Sequence, residues 1–372
     1  MFTVKEVSNK RQWHHFLMFP WQVYQKYPCW IPPLLSEVSF CLNQRKNPFY
    51  QHAQRKLFLA YNNQKEIVGR IVGIVDENNN QYRHEKVGFF GFFECLPKFE
   101  IAKALLDAVK DWIRSLGINV MRGPVNPSMN ETCGLLILGF HDPPYFMMPY
   151  NPPYYPRFME KYGLKKKKDL LAYEVSLPSS LMLKLVPLVQ KVEKRYPHIR
   201  VRSLNIKQWS RELEKIQEVY NNAWAENWGF VPMTKAEFNI MAKRLKPLLV
   251  PELVFLAEAG NEPVGFAMFF PDYYQILNRF NGRFPPWGWF KILWLRRHIN
   301  RVRAMTMGAK KQYRSSGIFP LFSYYAGRAL ENTSYRHLEF SWILEDNLPA
   351  IRVIELTGAK VSKTYRIYEQ PI

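Results

Sequence analysis

The chain repeats itself, and that limits its fold more than any other feature. Met159 to Glu174, "MEKYGLKKKKDLLAYE", lies without a gap over Ile354 to Glu369, "IELTGAKVSKTYRIYE". The match pairs Glu160 with Glu355, Gly163 with Gly358, Lys165 with Lys360, Lys168 with Lys363, Tyr173 with Tyr368 and Glu174 with Glu369. Upstream, "LFLAYNNQKEIVGRIVGIVD" (Leu57 to Asp76) parallels "VFLAEAGNEPVGFAMFFPD" (Val254 to Asp272), sharing Phe-Leu-Ala, then Val-Gly, then a closing Asp. Each passage reads as two apolar strands joined by a polar turn, a hairpin. A self-similar chain of 372 residues is long enough for two domains, each burying its own core.

After the hairpin each half continues with an apolar strand, an amphipathic helix, a strand, a short helix ending at the shared Gly, and a last strand. In the first half the helix is "FEIAKALLDAVKDWIRSLG", with Ile101, Leu105, Ala108, Val109 and Trp112 near a 3.6-residue period and Gly117 as its C-cap. Its counterpart is "IFPLFSYYAGRALENT". A basic helix after Pro178 links the halves, so the expected division is 1–178 and 179–372. The fold class is α/β (mixed α+β), two copies of one unit.

The two copies differ at one turn. The second has "KKQYRSSGIFP", Lys310 to Pro320, between strand and helix, whereas the first passes through Cys95, Leu96 and Pro97. Consecutive N–H groups at a turn opening a helix point at one spot, and the helix dipole adds positive potential, so a phosphate can sit there with Arg or Lys on its rim. The formal net charge of +21 implies an acidic partner such as phosphate, nucleic acid, an acidic carrier protein or an anionic membrane. Four scattered cysteines without a CxxC pair, and eight histidines without ligand spacing, argue against a metal site and for a reducing cytoplasm. No signal peptide or membrane-spanning run is expected, so membrane contact would be peripheral.

The order of elements resembles the Gcn5-related N-acetyltransferase (GNAT) superfamily in tandem form, which implies a mixed, mainly antiparallel central sheet flanked by helices in each domain. "QYRSSGIF" resembles that superfamily's acyl-CoA signature, with Arg314 and Gly317 matching and Phe319 where a small residue is expected. The resemblance implies acyl-CoA contacts at Met307, Gly308, Gln312, Tyr313, Arg314, Ser315, Ser316, Gly317, Ile318 and Asn347. Where the superfamily often carries a Tyr as general acid, "VIELTG" has none. The first half is expected to have kept the fold and lost the cofactor. The motifs "RGPVNPSMNETCGLLILGF", "PPYFMMPYNPPYYPRFMEKYG" and "NNAWAENWGFVPMTKAEF" extend the resemblance to a bacterial family of tandem acyltransferases that includes the ceramide synthases.

N-acyl transfer needs a held thioester, a neutral amine, a donor for the oxyanion and a proton for the leaving thiolate. The oxyanion partner is expected at the backbone near Met307 or Gly308. Glu345 and Glu131 are the candidate bases, set against ordinary roles beside a helix N-terminus and in a turn. Tyr150, Tyr154 and Tyr155 are candidate acids or substrate contacts, set against packing in a proline-rich corner. Asn126, Asn130 and Asn151 join them as polar contacts, while Trp224, Asn227 and Trp228 are candidates for an apolar substrate channel, with Trp224 and Trp228 expected on one helical face.

Residues 279–303, "RFNGRFPPWGWFKILWLRRHINRVR", interleave Trp and Leu with Arg and Lys as interfacial helices do, set against an ordinary core helix with a basic outer face. The function expected is N-acylation of a sphingoid-type base from acyl-CoA or an acyl carrier protein bearing the same phosphopantetheine arm. The partners are a lipid-like amine and either that acidic carrier or an anionic membrane. Two alternatives stand beside it. One is a GNAT transferase using a small amine or aminoacyl-tRNA. The other is a non-catalytic nucleic-acid or membrane binder on a degenerate fold, with nucleic acid disfavoured because the basic aromatic run is too apolar.

Overall fold

A computed structural model describes residues 2–179, 185–285 and 288–372, the side chains of Trp289 and Leu293 excepted. In chain order the strands are β1 (Thr3–Glu6), β2 (Ala53–Tyr61), β3 (Ile67–Asp76), β4 (Val87–Cys95), β5 (Val120–Gly123), β6 (Val125–Asn126), β7 (Thr132–Cys133), β8 (Leu135–Leu138), β9 (Lys165–Ser176), β10 (Ile199–Ser203), β11 (Val254–Ala259), β12 (Glu262–Pro271), β13 (Arg301–Ala309), β14 (His337–Leu344) and β15 (Lys360–Pro371). The helices are α1 (Lys10–Val23), α2 (Leu35–Cys41), α3 (Glu77–Arg83), α4 (Phe99–Ser115), α5 (Tyr155–Tyr162), α6 (Leu185–Arg195), α7 (Trp209–Ala223), α8 (Lys235–Leu245), α9 (Tyr274–Leu277), α10 (Gly288–Leu295), α11 (Ile318–Leu330) and α12 (Leu348–Leu356).

They form two compact units. Unit 1 holds Met1–Asp169, Leu277–Pro285 and Lys363–Ile372; unit 2 holds Leu170–Ile276 and Pro286–Ser362. This differs from a contiguous division at residue 178. Leu170 to Ser176 of β9 pair with β14 in unit 2, while Thr364 to Pro371 of β15 pair with β8 and β5 in unit 1. Each repeat therefore lends its last strand to the other unit's sheet.

Both hairpins form, and their registers repeat. Ala60 lies opposite Gly69 and Gly69 opposite Cys95 in unit 1; Ala257 lies opposite Gly265 and Gly265 opposite Ala309 in unit 2. Among the described residues, each unit has antiparallel neighbours and one parallel pair, β4 with β5 and β13 with β14.

The amphipathic pattern of α4 buries Ile101, Ala102, Leu105, Leu106, Val109 and Ile113 on the unit 1 sheet, and Gly117 follows its end at φ 77°. In unit 2, α11 buries Ile318, Leu321, Phe322, Ala326 and Leu330 against the sheet and α6. The opposite sheet face of unit 2 is covered by α7, through Ile216, Val219 and Ala223.

Candidate active site

In unit 2, Lys311–Ser316 wind into a 3-10 turn that ends at Gly317, whose φ of 81° places it in the left-handed region, and α11 starts at the next residue without a side-chain cap. A side chain at Gly317 is excluded twice over. That backbone disfavours L residues, and a Cβ there would lie 2.3 Å from Cγ2 of Val192 on α6. The turn is pinned by the Ser316 hydroxyl donating to the Tyr313 carbonyl at 2.6 Å.

Cations ring the turn. Arg314 donates to the Ala223 carbonyl at 3.0 Å and pairs with Glu226, which also meets Lys311. Those hydrogen bonds, from Lys311 first and then Arg314, hold the Glu226 carboxyl below its usual range. Lys310, itself buried, pairs with the exposed carboxylates of Glu218 and Glu262, and the Tyr313 hydroxyl donates to Glu262 at 3.2 Å. Lys311, Arg314 and Glu226 are solvent-accessible, so their pairs exchange cheaply for a phosphate. The residue set fits a pyrophosphate: an uncapped helix start, a left-handed glycine and accessible cations.

Ahead of the turn, β13 and β14 pair only from Arg301 to Ala304 and from His337 to Phe340. Beyond Ala304 the strands separate. Lys310 N–H donates to Val264 of β12, so by strand alternation Gly308 also faces β12 and Met307 faces away from it, toward the gap. Trp224 covers Gly308. A Cβ at Gly308 would lie 2.2 Å from the Trp224 ring, which also meets Phe266 edge-on at 5.6 Å.

The expectation of Trp224 and Trp228 on one helical face is corrected. Helix α7 ends at Ala223, and Asn227 N–H donates to the Trp224 carbonyl at 2.8 Å, turning the chain before Trp228. Glu345 follows β14 in a partly buried turn, and the Asn347 side chain caps α12 by accepting from Ala350 N–H at 3.4 Å.

At the fork of β13 and β14 sits a buried ionic group that periodicity did not single out. Arg303 and Glu339 lie opposite each other in register, and Glu339 is wholly buried. Arg303 donates to Ser341 Oγ at 2.8 Å and to its carbonyl at 3.0 Å, and Ser341 Oγ donates to Glu339 at 2.6 Å. The visible signal is a charge flanked by apolar residues in each of two strands, Arg303 in "VRAM" and Glu339 in "LEFSW".

Unit 1 blocks the equivalent gap. A Cβ at Gly91 of β4 would lie 1.8 Å from the Val125 carbonyl, and Phe92 N–H donates to the Asn126 side chain at 2.6 Å. Asn126 thus belongs to the segment that closes this gap. The other candidates of unit 1 are engaged in holding its chain. The Asn151 side chain bonds both N–H and C=O of Leu136; Tyr150 donates to the Phe140 carbonyl at 3.1 Å, and Tyr154 to the Cys95 carbonyl at 2.7 Å. Burial pushes the Tyr150 phenol up to about 12. Glu131 N–H donates to the Ser128 carbonyl, three residues back, with Asn130 in the same turn, and the Cys41 thiol lies 3.5 Å from the Glu131 carboxylate.

Tyr155, proposed as an acid, is 1% exposed. Its hydroxyl donates to Glu94 at 2.8 Å and accepts from Cys95 N–H at 2.8 Å. Glu94 and its neighbour Arg70, at 3.9 Å, were missed by sequence reasoning. Burial raises the Glu94 carboxyl to about 7, outweighing Arg70, Tyr155 and Tyr24, which pull it down.

A folded-state pKa of about 7 against an ordinary 4.5 means that the folded chain keeps a proton the unfolded chain has released. Glu94's contribution to stability is therefore full below about pH 4.5, declines as pH rises, and is gone above about pH 7. Relative to Glu94→Gln, the wild type should lose stability over that window by at most about 1.4 kcal/mol per pH unit. Denaturant titrations of both proteins across it check this; a difference independent of pH would contradict it.

No family model matches the chain. It is 33% identical over 378 residues to Protein YghO of Escherichia coli (strain K12), covering 99% of this chain and 95% of that one. It is 31% identical over 380 residues to a bacterial ceramide synthase of Caulobacter vibrioides, covering 100% and 97%. Its fold is similar to that of a tandem GNAT protein from clavulanic acid biosynthesis, with a TM-score of 0.56 and 11% identity over 100% of this chain and 98% of that one. Two GNAT units, one with an open gap and a basic turn, define the class as a tandem N-acyltransferase. Within that class the chain belongs to the family that includes Protein YghO and the Caulobacter bacterial ceramide synthase. That membership sets the non-catalytic alternative aside.

Among the described residues, no group of three metal-ligating side chains occurs, and no helix is long and apolar enough to cross a membrane.

Proposed function

We propose that this protein moves a long acyl chain from acyl-CoA to the primary amine of a sphingoid-type base. The supporting observation is the turn of unit 2, Lys311–Gly317, set beside a gap between β13 and β14 that in unit 1 is filled by Val125 and Asn126. The name of the Caulobacter relative supports the acceptor.

In this reading Lys311 and Arg314 leave Glu226 for the pyrophosphate, and the amides opening α11 complete its shell. The pantetheine arm follows β13, and Met307 N–H donates to the thioester oxygen. The amine nitrogen bonds to the carbonyl carbon, the C–S bond breaks, and the proton lost by the amine balances the one gained by the thiolate. Glu345 is the proposed acceptor of the amine proton. Trp224, lying on Gly308, forms the apolar wall beside the reacting carbon. An acyl carrier protein presents the same arm and is the alternative donor, and residues 279–303 are the proposed contact with an anionic membrane.

Arg314→Ala should raise KM for the acyl-CoA by about tenfold or more with little change in kcat, because a charged hydrogen bond to phosphate contributes about 1.5–3 kcal/mol of uniform binding. Steady-state kinetics with varied donor test it. An unchanged donor KM would remove the turn from the site.

A further inference from the structure

We infer that α10 and the turn after it dock unit 2 on an anionic lipid surface, with Phe290 and Trp294 entering the headgroup boundary. The lipid-like acceptor of the proposed function gives this docking its purpose, but the observations below do not depend on it.

Helix α10 is anchored from beneath by Ile292 and Leu295, both buried. Its outer side carries Phe290, 78% exposed, and Trp294, 58% exposed, four residues apart and so on one face. No other aromatic side chain among the described residues is as exposed as either. Lys291, Arg296 and Arg297 are exposed beside them, and the Arg297 guanidinium lies 4.7 Å from the Trp294 ring centroid. His298 meets the same ring at 5.7 Å.

Charge complementarity points to an anionic partner. Between Asp272 and Glu331 the sequence contains no acidic residue at all. An acidic protein would satisfy the cations but would need a matching apolar pocket for each of the two projecting rings. A lipid surface takes both, since the rings fit the headgroup and acyl boundary while the cations meet phosphates. A buried pair of anchors keeps the helix from rolling, so the aromatic face stays outward.

The chemistry gives this docking a use. A long-chain amine and its N-acyl product are held in membranes, so an enzyme that rests on the surface meets its acceptor at high local concentration.

The test is co-sedimentation of the full chain with vesicles of phosphatidylcholine containing about a third phosphatidylglycerol, and with phosphatidylcholine alone. The wild type should pellet with the anionic vesicles only, and added salt should weaken the binding. The double variant Phe290→Ser/Trp294→Ser should lower the partition coefficient by about tenfold or more, with an unchanged Tm because both side chains face solvent. Lys291→Ser/Arg296→Ser/Arg297→Ser should do the same.

Absence of binding to anionic vesicles overturns the inference. So does binding that survives loss of both aromatic residues, which would leave only a diffuse charge effect. Loss of transfer from an acyl carrier protein in the triple variant, with no vesicle binding by the wild type, would assign the surface to an acidic protein instead. Vesicle binding is read without turnover, so failure of the acyltransferase reading leaves this result intact. Failure of the docking leaves transfer to a water-soluble amine unchanged.

Discussion

Gly317→Leu should abolish acyl transfer. At φ 81° an L side chain strains the backbone, by about 1–2 kcal/mol for the left-handed conformation alone. Its Cβ also meets Val192 at 2.3 Å, so α6 must shift or the turn must open. Either change removes the aligned amides at the start of α11, and with them the proposed phosphate seat. Two variants separate loss of site from loss of fold. Gly317→Ala carries the backbone strain and the same Cβ overlap with Val192, without the rest of the leucine side chain, and should keep a cooperative unfolding transition while losing donor affinity. Pairing Gly317→Ala with Val192→Ala relieves the overlap and should restore stability more than KM. Full activity of Gly317→Leu would end the argument for this loop.

Arg303→Met should strongly destabilise unit 2. It leaves Glu339, which is wholly buried, facing an apolar side chain where a cation stood, and Ser341 loses two donors. Ser341 links the guanidinium to the carboxylate, and leaving a buried charge without its compensating partner costs about 3–5 kcal/mol. The double change Arg303→Met/Glu339→Leu removes the orphaned charge and should recover most of the loss. Denaturant unfolding of the three variants closes the cycle. A single variant within about 0.5 kcal/mol of wild type would show that Glu339 finds water or another cation, against its burial here.

Much of the fold was legible because the duplication was. Phe-Leu-Ala and Val-Gly fixed the hairpins in both halves, and Ala60–Gly69 and Ala257–Gly265 are opposite each other as that similarity requires. Exchange of the final strands was not legible. The two endings share Gly, Lys, Tyr and Glu, so either copy carries a pattern that suits either sheet, and local sequence contains no term for which sheet it joins.

The same limit applied to the site. A basic turn with a glycine is visible as a motif, whereas Glu94, Arg70, Arg303 and Glu339 become notable only once burial and register bring charge to charge. The tyrosines of "MMPYNPPYYPRF" show the converse. Their phenols looked like acids, yet Tyr150, Tyr154 and Tyr155 each donate within unit 1 to a carbonyl or to Glu94, because a proline-rich corner leaves backbone groups that need partners. Helix α7 stopping before Trp228 was beyond reach because tryptophan at 3.6-residue spacing carries no stop signal.

The most direct test is product analysis. The purified protein is incubated with acyl-CoAs of short to long chain and with sphinganine or a small amine, and the products are read by mass spectrometry. An N-acyl sphinganine should form from a long-chain acyl-CoA, be lost in Gly317→Leu and be reached only at raised donor concentration in Arg314→Ala. An N-acyl product with the small amine alone would refute the sphingoid acceptor, and equal turnover by wild type and Gly317→Leu would contradict the central claim that the acyl donor is held at this turn.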